Sequence, residues 1–316
     1  MATLSYHEQK DIENIKKLRE LQKELPSFCS VFFRGIETST STRTRIAYAY
    51  DLKIFFQFLK TANPGTFDNP SHTLTPSDLE KLTVTDLEEY IDYLKCHPSD
   101  TNEDVINTER GLMRKVSSLR SFYSYFFRNE RIEKNPAALV RMPKLHEKEI
   151  IRLEIDEVAK LLDEVEEGDK LTEKQKLYHE RTKVRDLAMM SLLLGTGIRV
   201  SECVGLNIND IDLDTCGARV YRKGGKESVI YFSDEVRDVL EDYLDEREMI
   251  DAVPGNEDAL FLSMQRKRIN VRSVENLVKK YAKLVTPLKK ITPHKLRSTY
   301  GTSPVSYTHL RATRPY

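Results

Sequence analysis

The chain has 316 residues, of which 39% are hydrophobic and 32% charged, so it has room for roughly two domains with ordinary buried cores. No apolar run approaches the ~18 residues of a membrane span, the N-terminus has no secretory apolar stretch, and Cys29, Cys96, Cys203 and Cys216 show no disulfide or metal spacing. Fifty basic and fifty acidic residues cancel, so the total charge alone argues against a polyanionic partner. A cytoplasmic protein with no metal centre and no membrane association is expected.

Residues 1–37 hold an amphipathic stretch (Ile12, Ile15, Leu18, Leu21, Leu25) that stops at Pro26, read as an N-terminal helical extension. The hydroxyls of Thr38 to Thr44 then offer N-caps to a helix with Tyr48, Leu52, Phe55, Phe56 and Leu59 on one face, closed by Asn63-Pro64-Gly65. Thr85-Asp86 opens a third helix with Leu87, Tyr90, Ile91 and Leu94 on one side. Residues 109–128 give the clearest pattern of this half. Leu112, Val116, Leu119, Tyr123 and Phe126 share one face, and Arg110, Arg114, Ser117, Ser121 and Arg128 the other. The N-terminal half thus reads as all helical, with residues 38–134 as one domain.

Asn135-Pro136 and Met142-Pro143 interrupt the pattern, and 135–152 is read as a linker. The second half opens with a helix carrying Val158, Leu161, Leu162 and Val165. Val184–Leu194 is apolar on nearly all sides, so it is expected to be the central buried helix, and Gly195-Thr-Gly197 ends it. Ala218–Tyr221 and Ser228–Phe232 flank Gly224-Gly225 as a β-hairpin. Two helices follow, with stripes at Val236/Val239/Leu240/Tyr243 and Val274/Leu277/Val278/Tyr281. Strands and helices do not alternate, which excludes a Rossmann-type fold. The fold class is mainly α with a small β-hairpin or sheet.

The neutral total hides segregation. Glu109 to Lys144 carries nine Lys or Arg against three acids, and Ser263 to Arg297 eleven against one. The compensating acids lie in Glu154–Asp169 and Phe232–Asp258. Two basic segments, one in each half, suggest two surfaces meeting one polyanion. An exposed stripe of Arg and Ser on a well-anchored helix suits phosphate and groove contacts.

Three stretches of the second half could carry chemistry. In Gly195-Thr-Gly-Ile-Arg199-Val-Ser-Glu202 an arginine follows a tight turn, either held in a site or paired structurally, with Glu202 a plausible partner. Arg222-Lys223-Gly-Gly-Lys226 puts cations on a hairpin turn. In Thr292-Pro-His294-Lys-Leu-Arg297, Thr292 suits an N-cap and Pro293 the first helical position, so His294 and Arg297 become i, i+3 neighbours. Two arginines, a histidine and a lysine near DNA would form a phosphate-activating cluster. The guanidiniums would fork onto non-bridging oxygens and the lysine would protonate a leaving oxygen. Such a site needs no cofactor, but it does need a nucleophile.

These three ordered boxes resemble those of the tyrosine recombinase (phage integrase) family, and most closely its Xer-type members. Leu119-Arg-Ser-Phe-Tyr-Ser-Tyr and Asn135-Pro136-Ala are similar to the family's helical core-binding domain, and the resemblance covers roughly residues 38–302. It implies a SAM-like helical core-binding domain and an α+β catalytic domain over 153–302. The implied activity is site-specific breakage and rejoining of DNA through a 3′-phosphotyrosine, for integration or resolution. By the same resemblance Arg199 and Arg297 would stabilise the transition state, His294 would serve as acid/base, and Lys223 as acid to the 5′-oxygen. The implied partner is double-stranded DNA with an inverted-repeat site, bound by a homo-tetramer. Candidate DNA contacts are Arg43, Arg45, Arg110, Arg114, Ser117, Arg120, Lys226, Arg268 and Arg272.

The resemblance also places a second His or Trp, and then the nucleophilic Tyr, farther beyond Arg297 than the nineteen residues that follow it here. Ser303-Pro304 departs from the family's helix. Tyr307-Thr-His309 resembles the nucleophile neighbourhood in letters but comes early. Residues 303–316 are therefore expected to be a non-native tail on a truncated chain, with weakened tetramerisation and no cleavage. The alternatives are a non-cleaving recombinase-like DNA-binding protein and a type IB topoisomerase-like enzyme.

Overall fold

The computed structural model describes residues 5–98, 103–146, 151–222 and 226–302, and the chain divides into two units, Met1–Glu147 and Lys148–Tyr316. The first contains α1 (Tyr6–Lys23), α2 (Cys29–Gly35), α3 (Thr42–Ala62), α4 (Pro64–Phe67), α5 (Pro76–Glu80), α6 (Val84–Lys95), β1 (Cys96–Pro98), β2 (Asp104–Ile106) and α7 (Glu109–Arg128). Short polar side chains start most of these helices. Ser5 and Glu8 form a reciprocal capping box on α1, the Ser41 hydroxyl accepts from the Thr44 N–H on α3, and Thr83 and Asp86 box α6. The expected start of α6 at Thr85-Asp86 therefore lies two residues late, since Asp86 is the third helical residue and Thr83 the cap.

Aromatic rings fill the core of this unit. Phe122 on α7 meets Phe32 of α2 and Phe126 edge-on, with centroids 5.1 Å apart in both pairs, and Phe55 of α3 meets Tyr90 of α6 at 4.9 Å. Edge-to-face pairs add ~0.5–1.5 kcal/mol each to the burial of the rings. Helix α2 escaped the sequence reading because its seven residues are too few for a period to show, yet it supplies the fully buried Phe32 and Phe33.

Two expectations are corrected here. The half is not all helical: β1 and β2 pair antiparallel with His97 opposite Val105, because Pro98 cannot continue α6 and the chain leaves it extended. The stretch expected to begin the linker is part of the core. A 3₁₀ turn at Pro136–Ala138 buries Ala137, Val140 is buried beside it, and the Arg120 guanidinium donates to the carbonyls of Ala137, Ala138 and Val140.

The second unit contains α8 (Ile155–Glu167), α9 (Glu173–His179), α10 (Lys183–Thr196), α11 (Val200–Gly205), β3 (Ile211–Asp212), β4 (Gly217–Arg222), β5 (Lys226–Tyr231), α12 (Asp234–Glu248), α13 (Val271–Val285) and α14 (Pro293–Thr302). Helix α10 is the central element: α8, α11, α12 and α14 all pack on it, and Ala188 through Leu194 are buried on every side. The antiparallel sheet has order β3-β4-β5, and Arg222 pairs with Lys226 at the end of the β4–β5 ladder. The two-residue β3 was too short to read in the sequence. No helix among the described residues is long and apolar enough to cross a membrane.

Candidate catalytic site

The end of α10 sets the geometry. Gly197 is its C-cap at φ 60°, and a Cβ there would lie 2.5 Å from a ring carbon of Tyr300 on α14. Both the left-handed backbone and the ring therefore require glycine. Two residues on, Arg199 caps α11. Its backbone N–H donates to Glu202 Oε2 at 2.9 Å and its Nη1 donates to Oε1 at 2.7 Å. Glu202 is buried, whereas the Arg199 side chain is half exposed (52%). A buried carboxylate thus fixes one edge of an exposed guanidinium and leaves further donors for a ligand. Arg199 is thus paired with Glu202 while staying half exposed.

Helix α14 delivers the second arginine to the same turn. Pro293 opens the helix, Leu296 is fully buried, and Arg297 Nη1 donates to the carbonyl of Gly197. One turn of chain at the end of α10 therefore touches both arginines. His294 lies one helical turn before Arg297 on the same face and is exposed. The helix is tied down by Thr299, whose buried Oγ1 accepts from the Leu153 N–H at 3.0 Å and donates to the Lys295 carbonyl at 3.0 Å. Just ahead of α14, Lys289 Nζ reaches Glu157 at 2.6 Å and the Arg152 carbonyl at 3.2 Å. Sequence reasoning missed Thr299 and Tyr300 as site supports. The only signal was their place within two turns of His294 on one short helix.

Lys223 lies outside the described residues, as do Tyr307 and the rest of 303–316. Arg222 and Lys226, which pair at the end of the β4–β5 ladder, are both exposed.

The candidate DNA contacts divide into two kinds. Arg43, Arg110, Ser117, Lys226 and Arg272 are exposed, although Arg272 pairs with Glu275 at 3.1 Å and the Ser117 hydroxyl donates to the Met113 carbonyl of its own helix at 2.8 Å. Arg114 is also exposed and bonds the buried carboxylate of Asp51. Burial pushes the Asp51 carboxyl up, and Arg114 and Lys115 only partly counter it. Three other cations are committed to the fold. Arg45 is buried against Glu37 at 2.7 Å, and Arg120 holds the 136–140 segment. Arg268 donates to the carbonyls of Val204 at 3.0 Å and Leu206 at 2.7 Å, and also to the Asn207 side chain.

Comparison with known proteins fits this geometry. Residues 151–304 match the model of the phage integrase family. The chain is 37% identical over 270 residues to a tyrosine recombinase XerC of Caldanaerobacter subterraneus subsp. tengcongensis, covering 83% of this chain and 70% of the relative. It is 31% identical to a tyrosine recombinase XerS of Streptococcus uberis, covering 91% of this chain and 86% of the relative. Among solved structures, a lambda integrase (75–356) dimer bound to a COC′ core site superposes with TM-score 0.58 at 17% identity, covering 90% of this chain and 93% of that one. XerH recombinase bound to difH substrate gives 0.56 at 17% identity, covering 85% of this chain and 68% of that one. At such identities these two show the fold. Together with the curated relatives and the two arginines gathered at one turn, they establish that the chain belongs to the phage integrase family, the tyrosine recombinases.

Proposed function

We propose that this chain acts on double-stranded DNA as a site-specific recombinase, breaking and rejoining strands through a 3′-phosphotyrosyl intermediate. The observation that carries this reading is the bond from Arg297 to the Gly197 carbonyl. It brings the two sequence-distant arginine boxes to one turn, where two guanidiniums can hold a single phosphate.

In the transfer step a tyrosine Oη bonds to the scissile phosphorus while the bond to the 5′-oxygen breaks. The pentavalent transition state carries additional charge on its non-bridging oxygens. Arg199 and Arg297 would meet that charge with planar forks already fixed by Glu202 and by the Gly197 carbonyl, so little ordering remains to be done at the moment of reaction. His294 would exchange a proton with the attacking or leaving oxygen, and Lys223 on the hairpin would protonate the 5′-oxygen. The relatives solved on core-site and difH DNA support a duplex partner. Another lambda integrase structure, a tetramer on a Holliday junction with TM-score 0.58, supports assembly of this chain as a tetramer on an inverted-repeat site. Arg43, Arg110, Arg114, Ser117, Lys226 and Arg272 are the described candidates for backbone and groove contacts.

The test is to select a bound duplex from random DNA, footprint it, and place a nick beside the cleaved position so that a covalent intermediate cannot religate. A detergent-resistant adduct that a tyrosine substitution abolishes is expected, and it would overturn the expectation drawn from residues 303–316 that the chain does not cleave. A specific footprint with no adduct at any tyrosine would overturn the cleaving reading and leave a DNA-binding protein.

A further inference from the structure

The first unit contains a cavity of about 310 Å³ that the strand-transfer chemistry leaves without a role. Leu18 of α1 and Phe33 of α2 give it an apolar floor, and three arginines from three helices line it: Arg19 of α1, Arg34 of α2 and Arg45 of α3. Glu37 is the one acid among its lining residues, and it bonds Arg45 at 2.7 Å.

Folding has therefore gathered three guanidiniums against one carboxylate, from positions that local sequence does not bring together. Neither Arg19 nor Arg34 has an ion pair or side-chain hydrogen bond among the described residues, and both are exposed. Arg45 is nine-tenths buried. Its Nη atoms bond Glu37 and Thr42, and its Nε is buried with no hydrogen-bond partner. Like charges drawn together over an apolar floor, with a buried donor unmet, are unfavourable in the empty cavity and favourable once an oxyanion enters. The excess of two positive charges suits a phosphate better than a single carboxylate.

We propose that this cavity binds a phosphate group, borne either by the backbone of bound DNA or by a free phosphate ester. The DNA arm rests on the function proposed above, and the free-ester arm does not. The test uses the full chain and the double variant Arg19→Gln/Arg34→Gln, whose exposed positions belong to the first unit, whereas Arg199 and Arg297 belong to the second. Arg45 is left intact because it also braces α3 to Glu37.

The first arm measures thermal unfolding in millimolar pyrophosphate against chloride of equal ionic strength. A free-ester site raises the wild-type Tm by roughly 3 °C and leaves the double variant unmoved. The second arm measures duplex affinity against salt. If a DNA phosphate occupies the cavity, the slope of log K against log salt falls by about 0.9 in the double variant, as expected for one lost phosphate contact. Wild type that binds no duplex would defeat the proposed function, and the pyrophosphate arm would still decide the cavity. An unchanged slope together with no pyrophosphate shift would overturn the proposal.

Discussion

The two basic segments, 109–144 and 263–297, look alike in the sequence and are used differently in the fold. In the first, α7 presents Arg110 and Arg114 on its exposed side, while Lys115 is buried against Asn107 at 2.7 Å and Arg120 ties down the chain that follows the helix. In the second, six of the eleven cations are exposed and four serve the interior. Arg268 binds the Val204 and Leu206 carbonyls at the end of α11, the Lys280 ammonium sits 3.9 Å from the Tyr281 ring centroid, and Lys289 and Arg297 anchor the approach to α14 and its contact with the Gly197 turn. Burial holds Lys280 below the ordinary lysine range. The first segment is a face on a braced helix, and the second mixes exposed cations with four that brace the fold. Net charge along a sequence counts cations without separating those that meet a ligand from those that satisfy carbonyls.

Alanine substitution should break this comparison open most clearly at the bracing residues. Arg268→Ala strands the Val204 carbonyl and leaves that of Leu206 with the Leu260 N–H alone, and Arg120→Ala strands the carbonyls of Ala137 and Val140, so each should cost about 1–3 kcal/mol in denaturant unfolding. Arg110→Ala, on the exposed face, should change stability by no more than about 0.5 kcal/mol and weaken DNA binding instead. Equal stability losses at all three positions would erase the distinction between face and brace.

A smaller effect extends the same division to acids. Asp78 caps α5, and although burial pushes its carboxyl up, bonds from Lys81, the Thr75 N–H, His72 and the Thr75 hydroxyl outweigh this and hold it well below the usual carboxylate range. A carboxyl lowered in the folded state adds stability above its ordinary value of 3.8 and loses it as pH falls through the folded value. Asp78→Asn should therefore cost about 1–2 kcal/mol at neutral pH, with the gap to wild type closing only on strong acidification. Asp51 works in the opposite direction, because its raised carboxyl makes its charge a cost that eases as pH falls. A gap at Asp78 that stays constant down to pH 2 would remove the carboxylate from the account.

Much of this was legible beforehand where a period or a cap had room to repeat. The stripes of α3, α7, α8, α12 and α13 and the buried character of α10 followed from spacing, and the hairpin followed from its paired glycines. What escaped was short or tertiary. Helix α2, α9 and β3 are too brief for a pattern, and β1–β2 arises where Pro98 stops a helix. Ala137 and Val140 entered the core because Arg120 reaches their carbonyls, a contact across 17 and 20 positions. At the site, the arginine boxes and the Arg199–Glu202 pair could be read locally. The junction of Arg297 with Gly197 spans 100 positions, and only the packing of α14 on α10 creates it.

That junction carries the central claim, and the most direct test is to change the shape of its cations while keeping their charge. Arg199→Lys and Arg297→Lys each retain a point charge and lose the planar fork. At saturating duplex, adduct formation on the nicked substrate should fall by about 10²–10³-fold for each, as for loss of one transition-state donor, with DNA affinity within about threefold of wild type. Adduct formation at the wild-type rate in both variants would contradict the account.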